Sequence, residues 1–397
     1  MVKTDSTNGV SLLKFAQSNI RNYSMFIILA LISLVFLFLT GGVNFTPRNV
    51  TNIVIQNSYI LILAVGMVLV IVAGHIDLSV GSVAAFSGVI SAMLYNAGFG
   101  VLPTILGSLI MGALIGVFQG FWIAYAGIPA FIVTLAGQLL FRGLTYVITN
   151  VRPIALKDDN FKQITSGSIS IPALTVDRMH YLAVIAGVVL AVVYIVFASI
   201  GRQNKKRNGF EVPPLRLFIL KLVFVAALVG LLSWKFAGYR GVPTVVVVLG
   251  IVIGLFIFIT RKTVIGRYIY AVGGNSRSAK LSGINSERVV FIVFIIMGSL
   301  AGLAGMVFSG YMNSALPQAG NLFELDAIAA CFIGGASASG GIGTVIGAIT
   351  GALVMGVINN GMSLMNIKAE WQYVVKALVL LFAVLYDIYT RRKSGLG

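Results

Sequence analysis

The sequence predicts an all-α polytopic membrane protein with about twelve transmembrane segments (ten to twelve), and three observations carry that expectation. First, 58% of the 397 residues are hydrophobic and only 10% are charged, whereas a soluble chain carries about 25% charged residues. Second, apolar runs of roughly 18 or more residues recur along the chain. They are continuous, which excludes the alternating strands of a membrane β-barrel. Third, the net charge of +17 sits in short loops between the runs. Bases so placed read as topology signals and contacts to anionic lipid rather than as a nucleic-acid surface.

Taken in order, the first span is expected over residues 24–40 and ends at Gly41-Gly42 and Pro47. Lys3, Lys14 and Arg21 precede it, but LTGGVNF follows in place of a small-x-small cleavage site, so it reads as a retained span. The second, 54–73, opens on the unusually polar Asn52, Gln56 and Asn57. HIDLSVG (75–81) then starts a third span that runs to Tyr95, with Asp77 and Ser79 where its helix begins. The fourth, 102–124, carries Gly112, Gly116 and Gly120 on one stripe that admits a close neighbour, and Trp122 and Tyr125 mark its interface. Pro129 opens a fifth, with Gln138 and Arg142 on one face. A long polar excursion, 150–178, precedes a sixth span over 181–200.

The most basic loop follows, RQNKKRNGFEVPPLR, and then two spans, 217–236 and 242–260, turn about GYRGVP. Beyond the 261–288 loop come a span over 289–311 with Gly298 and Gly302, a short apolar segment 324–335, a span over 343–364 with Gly347 and Gly351, and a last span over 371–389. The segment at 324–335 is too short to cross alone and reads as a possible half-helix buried in protein. Twelve spans put every basic segment, including both termini, on the cytoplasmic side. GALIGVFQG from Gly112 resembles GALVMGVINNG from Gly351, a possible internal repeat. The whole chain, 1–397, reads as a single transmembrane domain.

No GxxxxGK[ST] loop is present, so this chain is expected to hydrolyse no ATP itself. His75 and His180 lack partners at metal spacing, and Cys331, the only cysteine, excludes an internal disulfide. No cofactor, metal or catalytic residue is therefore expected. Intramembrane ionisable residues are few: Asp77, Arg142, Glu324, Asp326 and Glu370. A path lined by small residues and amides suits a neutral, hydroxylated solute. Gln56, Asn57, Asp77, Ser79, Gln138, Asn359 and Asn360 are the pathway or gate candidates. Each has a plainer reading: Asp77 as a helix cap, the amides as interhelical hydrogen bonds, Arg142 as a partner for a carbonyl or carboxylate.

One stretch resists burial. GRYIYAVGGNSRSAKLSG, 266–283, is basic yet lies between two strongly apolar runs. Arg267, Arg277 and Lys280 would each cost roughly 2.5–3.5 kcal/mol at the centre of a span. Gly273-Gly274 breaks the backbone, Asn275 or Ser276 caps a new helix, and 277–281 forms a short helix in water. By itself this is an ordinary loop or a surface offered to a soluble partner.

The motifs decide between those readings. GRYIYAVGGNSRSAKLSGI, together with HIDLSVGS at 75–82, FIVTLAG at 131–137 and FIGGASASGGIGTVIGA at 332–348, resembles the membrane permeases of bacterial monosaccharide ABC importers of the ribose, xylose, galactose and arabinose type. The resemblance runs from about residue 45 to 390, and the length is most like the xylose and multiple-monosaccharide permeases. It implies a transport subunit of the bacterial inner membrane that works as a second copy of itself paired in a dimer. Its partners would be a periplasmic sugar-binding protein and an ABC ATPase subunit that carries ATP and Mg.

Within the 261–288 loop the resemblance makes Gly266, Arg267, Gly273, Gly274, Asn275, Arg277, Lys280, Leu281 and Gly283 the ATPase-coupling segment. Ser276 and Ser278 stand where relatives often carry acidic or alanine residues. Shorter relatives have one span between the long outer loop and this motif where this chain has three, so 201–241 reads as an inserted hairpin. The competing function class is an ion-coupled secondary sugar carrier or facilitator, which needs no ATPase.

Overall fold

The structure, a computed structural model, describes residues 12–177, 179–210 and 212–393. Fifteen α-helices form in the described chain: α1 (Leu12–Leu39), α2 (Pro47–Val72), α3 (Val80–Asn96), α4 (Val101–Ala124), α5 (Ala130–Thr149), α6 (Asn160–Thr165), α7 (Tyr181–Arg207), α8 (Leu215–Ala237), α9 (Thr244–Lys262), α10 (Val264–Gly274), α11 (Ser276–Leu281), α12 (Ser286–Met312), α13 (Phe323–Ile333), α14 (Val345–Leu364) and α15 (Ala369–Lys393). Every apolar run became a helix. Eight of them (α2, α4, α5, α7, α8, α9, α12 and α14) are long and apolar enough to cross a membrane. The apolar part of α1, Met25–Leu39, and α3 are shorter, and α15 is diluted by Glu370, Lys376 and its basic end. Helix α2 starts at Pro47, ahead of the expected 54, because Thr46 caps it: its Oγ1 accepts the Asn49 N–H at 3.3 Å.

Two quartets of helices, α2–α5 and α12–α15, share one packing plan. The first members, α2 and α12, lie against each other at the centre; α4 packs on α12 as α14 packs on α2; α3 touches α12 as α13 touches α2; and α3 pairs with α5 as α13 pairs with α15. The two similar sequence stretches fall on the third helix of each quartet, so the repeat expected from them is a repeat of architecture. Glycine sets the closeness of these pairs. A Cβ on Gly112 would run into the Gly298 carbonyl, one on Gly116 into that of Phe294, and one on Gly351 into that of Ala330. The Ser108 hydroxyl adds a hydrogen bond to the Gly302 carbonyl at 2.7 Å.

The second helix of each quartet is entered through a break. Residues 73–79 separate α2 from α3. After α12, strand β6 (Ser314–Ala315) pairs antiparallel with β1 (Ile154–Ala155) at one face, and residues 316–322 then lead inward to α13. The two breaks meet: a Cβ on Gly81 would strike the Gly320 carbonyl, and one on Gly320 the Gly81 carbonyl. At the other end of α13, Gly334 lies against Gly347 at the start of α14. Helix α13 thus supplies part of a crossing that non-helical backbone completes, and burial within the protein makes that backbone tolerable.

Strand β2 (Ser168–Ile169) pairs with β5 (Val242–Pro243), while β3 (Thr175–Val176) and β4 (Met179–His180) form a small hairpin before α7. Helices α7 and α8 pack mainly on each other, with only Ala183, Phe236 and Ala237 buried among their side chains.

Candidate functional site

The basic segment is built by three successive caps. Thr263 Oγ1 accepts the Gly266 N–H at 3.3 Å to start α10, Asn275 Oδ1 accepts the Ser278 N–H at 2.9 Å to start α11, and Asn285 Oδ1 accepts the Arg288 N–H at 2.7 Å to start α12. Gly283, at φ +84°, closes α11 where a side chain would be strained. The break expected at Gly273-Gly274 is narrower than its sequence suggests, because α10 runs through both glycines and ends at Asn275.

Helix α10 buries Gly266, Ile269 and Val272 and leaves Arg267 and Tyr268 exposed. Helix α11 buries only Ala279, with Arg277 exposed and Leu281 84% exposed. Lys280 is held back to the start of α12 by an ion pair with Glu287 at 2.6 Å. The hydrogen bond from Lys280 keeps the Glu287 carboxyl below the usual carboxylate range.

This segment rests on both breaks. The Gly341 N–H donates to the Val72 carbonyl at 2.8 Å. A Cβ on Gly273 would collide with that same carbonyl and with the Gly341 nitrogen. Gly340 and Gly341 have φ of +82° and +72°, and the Gly274 Cα stands 2.9 Å from where a Gly341 Cβ would be. The Tyr270 hydroxyl donates to the Gly343 carbonyl at 2.7 Å. Three backbone segments therefore touch without side chains between them: the end of α10, the end of α2 just before its break, and the loop joining α13 to α14.

The other candidates divide into clusters. Asp77 Oδ1 accepts the Ser79 N–H at 2.8 Å and the Ser79 hydroxyl at 2.6 Å, and Gln119 Nε2 donates to the Ser79 oxygen at 2.8 Å. Asp77 acts two residues on, as an Asx-turn, and not from the N-cap position itself, which Ser79 occupies. Gln138 Nε2 reaches Glu324 Oε1 at 3.4 Å. Arg142 donates to the Pro317 and Ala319 carbonyls at 3.0 and 2.5 Å, which ties α5 to the break before α13. Asn360 and Asn49 exchange amide hydrogen bonds at 2.8 and 3.0 Å, and Asn57 donates to the Ile53 carbonyl at 2.8 Å beneath Gly356. Asn359 has its Oδ1 buried with no hydrogen-bond partner among the described residues, while Gln56 is half-buried on α2. The two broken-helix starts are brought together; Asn359 and Asn360 lie apart from them.

Residues 49–384 match the protein family described as branched-chain amino acid transport system / permease component. This chain belongs to that permease family. The xylose transport system permease protein XylH of Escherichia coli K12 is 39% identical over 94% of this permease and 94% of its own chain. XylH of Haemophilus influenzae is 39% identical over 96% of this permease and 99% of its own length. The ribose import permease protein RbsC of E. coli K12 is 35% identical over 91% and 92% of the two chains. No solved structure matches the permease. The resemblance to sugar ABC permeases stated from four motifs therefore holds along nearly the whole chain.

Several side chains of the permease escaped the sequence reading. Lys376 of α15 makes a 2.9 Å ion pair with Asp326 of α13, at 21% and 8% side-chain exposure. Its signal was present, as a lone base inside an apolar run. Gln119 and Asn49 are single amides whose partners lie 40 and 311 residues away, so nothing local marks them. Among the described residues no group of His, Cys, Asp and Glu is placed to hold a metal ion.

Proposed function

We propose that this permease is the membrane-spanning subunit of an ATP-driven importer that moves a monosaccharide, xylose-like among the pentoses and hexoses, from a periplasmic binding protein into the cytoplasm by alternating access. The observation that carries the proposal is the seat of the α10–α11 segment on the ends of α2 and α13–α14. Seated there, it reaches both breaks through backbone, which gives way far less than side chains do. The similarity to XylH and RbsC supports the substrate class. Two copies of the permease would form the importer, with an ATPase subunit bound inside and the binding protein outside. ATP and Mg would sit on the ATPase.

In this reading both termini and the α10–α11 segment face the cytoplasm, as the basic loops require. The exposed Leu281 and Arg277 enter a groove of the ATPase. ATPase closure displaces α11 as a rigid body, Gly273 and Gly274 carry the shift to Val72 and to Gly340-Gly341, and the starts of α3 and α13 change their spacing at Gly81 and Gly320. Asp77, Ser79, Gln138 and Glu324 line that gate. The 201–241 hairpin is an insertion that leaves the topology intact.

The test is ATP hydrolysis and sugar uptake in liposomes that hold the permease with its ATPase and binding protein. Hydrolysis that needs the permease and rises with sugar-loaded binding protein is the expected result. Gly274→Pro and Arg277→Glu should insert normally yet lower uptake per ATP by about tenfold or more. Uptake by the permease alone, driven by a proton or sodium gradient, would move it to the secondary carriers.

A further inference from the structure

At the face opposite the α10–α11 segment, a cavity of about 180 Å³ opens between the first turns of α2 and the last turn of α12. Its floor is Thr51, Asn52 and Ile55 of α2 and Tyr311 of α12; its walls are the α6–β2 turn, with Lys162, Ser166 and Ser168, and the turn before β5, with Tyr239 and Arg240. It has room for more than one water.

Two features set this cavity apart. Among the described residues, the Asn52 amide, the Ser168, Tyr239 and Tyr311 hydroxyls and the Lys162 ammonium have no hydrogen-bond partner. Arg240 has only the Tyr239 ring, with its guanidinium carbon 5.2 Å from the centroid. None of these groups is buried, so each is open to water now and free to exchange that water for a ligand hydroxyl. The second feature is that Tyr311 begins a row of half-buried rings leading inward. It lies 6.4 Å from Phe308, which lies 4.9 Å from Tyr59 and 5.2 Å from Phe323, and Tyr59 and Phe323 are 4.4 Å apart. Tyr59 follows Ile55 by one helical turn on α2, and Gln56 follows Asn52 by one turn. Phe323 opens α13, next to the buried Glu324.

We propose that this cavity is an outer sugar subsite of the permease, which receives one monosaccharide ring before it passes along the aromatic row toward the α3–α13 break. The chemistry fits a neutral polyhydroxylated ring. Its C–H face stacks on Tyr311 and Tyr239, and its hydroxyls pair with Asn52, Ser168 and the rim cations. A carboxylate would be recognised instead by cations converging in the interior, and here Lys162 and Arg240 are both exposed. The inference rests on the sugar-importer reading, which gives the permease a sugar to receive.

Saturation-transfer NMR on the full-length permease in lipid nanodiscs, with neither ATPase nor binding protein, tests the site with D-xylose, D-ribose and acetate as probes. The expected result is transfer to a sugar and none to acetate. Tyr311→Ala and Asn52→Ala should weaken sugar binding by about fivefold, and Tyr311→Phe, which keeps the ring, by about twofold or less. Tyr239→Ala, on a half-exposed turn, is the second variant should Tyr311→Ala fail to fold. Transfer to acetate alone would make the cavity a dock for an acidic side chain and overturn the proposal. No transfer to either sugar would overturn it too, even where coupled uptake proceeds normally. Sugar transfer beside gradient-driven uptake without ATPase would keep this site and remove the importer reading.

Discussion

The centre of the permease and its α7–α8 hairpin are both strongly apolar and oppositely placed. The apolar windows of α2, α12 and α14 have mean hydropathies of 2.2, 2.5 and 1.6 and are 78%, 72% and 78% buried; those of α7 and α8, at 2.8 and 2.5, are 11% and 0% buried. Hydropathy therefore says that a helix leaves water and nothing about what covers it. Small residues make the difference. Helix α12 places Gly298, Gly302 and Gly305 against the backbone of α4 and α3, whereas Gly230 of α8 has nothing within 4 Å of an added Cβ. In a bilayer, lipid is as apolar as leucine, so close backbone approach and polar contacts decide which helices pair.

The largest expected effect breaks that comparison directly. Gly298→Leu drives a side chain into the Gly112 carbonyl and should abolish a monodisperse, folded permease in detergent, because a packed interior has no room to shift. Gly230→Leu, in open space, should leave the elution profile and the melting temperature unchanged. Equal behaviour of the two variants would mean that the α4–α12 contact is not what holds the centre together.

A second, smaller effect concerns charge. The Lys376–Asp326 pair joins α15, a helix with few other partners, to α13. Lys376→Met leaves a buried carboxylate alone and should cost about 3–5 kcal/mol, while Asp326→Leu combined with Lys376→Met should recover most of it. Thermal unfolding of the single and double variants in nanodiscs measures the recovery. A double variant no more stable than Lys376→Met would show that the pair is not coupled.

These two contacts also mark what the sequence made legible. The glycine stripes were readable because spacing of four is a property of a single helix, and the cap at Asn275 because capping is local. The crossing at 316–333 was visible only as a helix too short to span, since its missing half is a run of turns pinned by β1, Arg142 and Gly81. The amide pair of Asn49 and Asn360 had no local trace, and neither did the contact of Gly273 with Val72 and Gly341. Both join segments far apart in sequence, and only the fold brings them together. The motif at 266–283 pointed to a surface segment, and its seat on two helix breaks came from tertiary contacts alone.

The smallest effect sharpens the contrast between buried and exposed ion pairs. Lys280 and Glu287 lie as close as Lys376 and Asp326 but are 67% and 37% exposed, against 21% and 8%. Water already solvates both partners, so pairing adds little. Because Lys280 lowers the Glu287 carboxyl below its usual range, whatever stability the pair contributes is present above the unfolded value near ~4.3 and fades as pH falls through the folded value. Glu287→Gln should therefore barely move the melting temperature at pH 7, and even that small difference should vanish once the pH has fallen below the folded value of the Glu287 carboxyl. Coupled ATP hydrolysis should also be unchanged at pH 7, since α11 keeps its Asn275 cap and its buried Ala279. A drop in sugar-stimulated hydrolysis with an unchanged melting temperature would instead make the pair a positioning contact that sets the angle of α11, and the exposed segment would then owe its shape to charge as well as to caps.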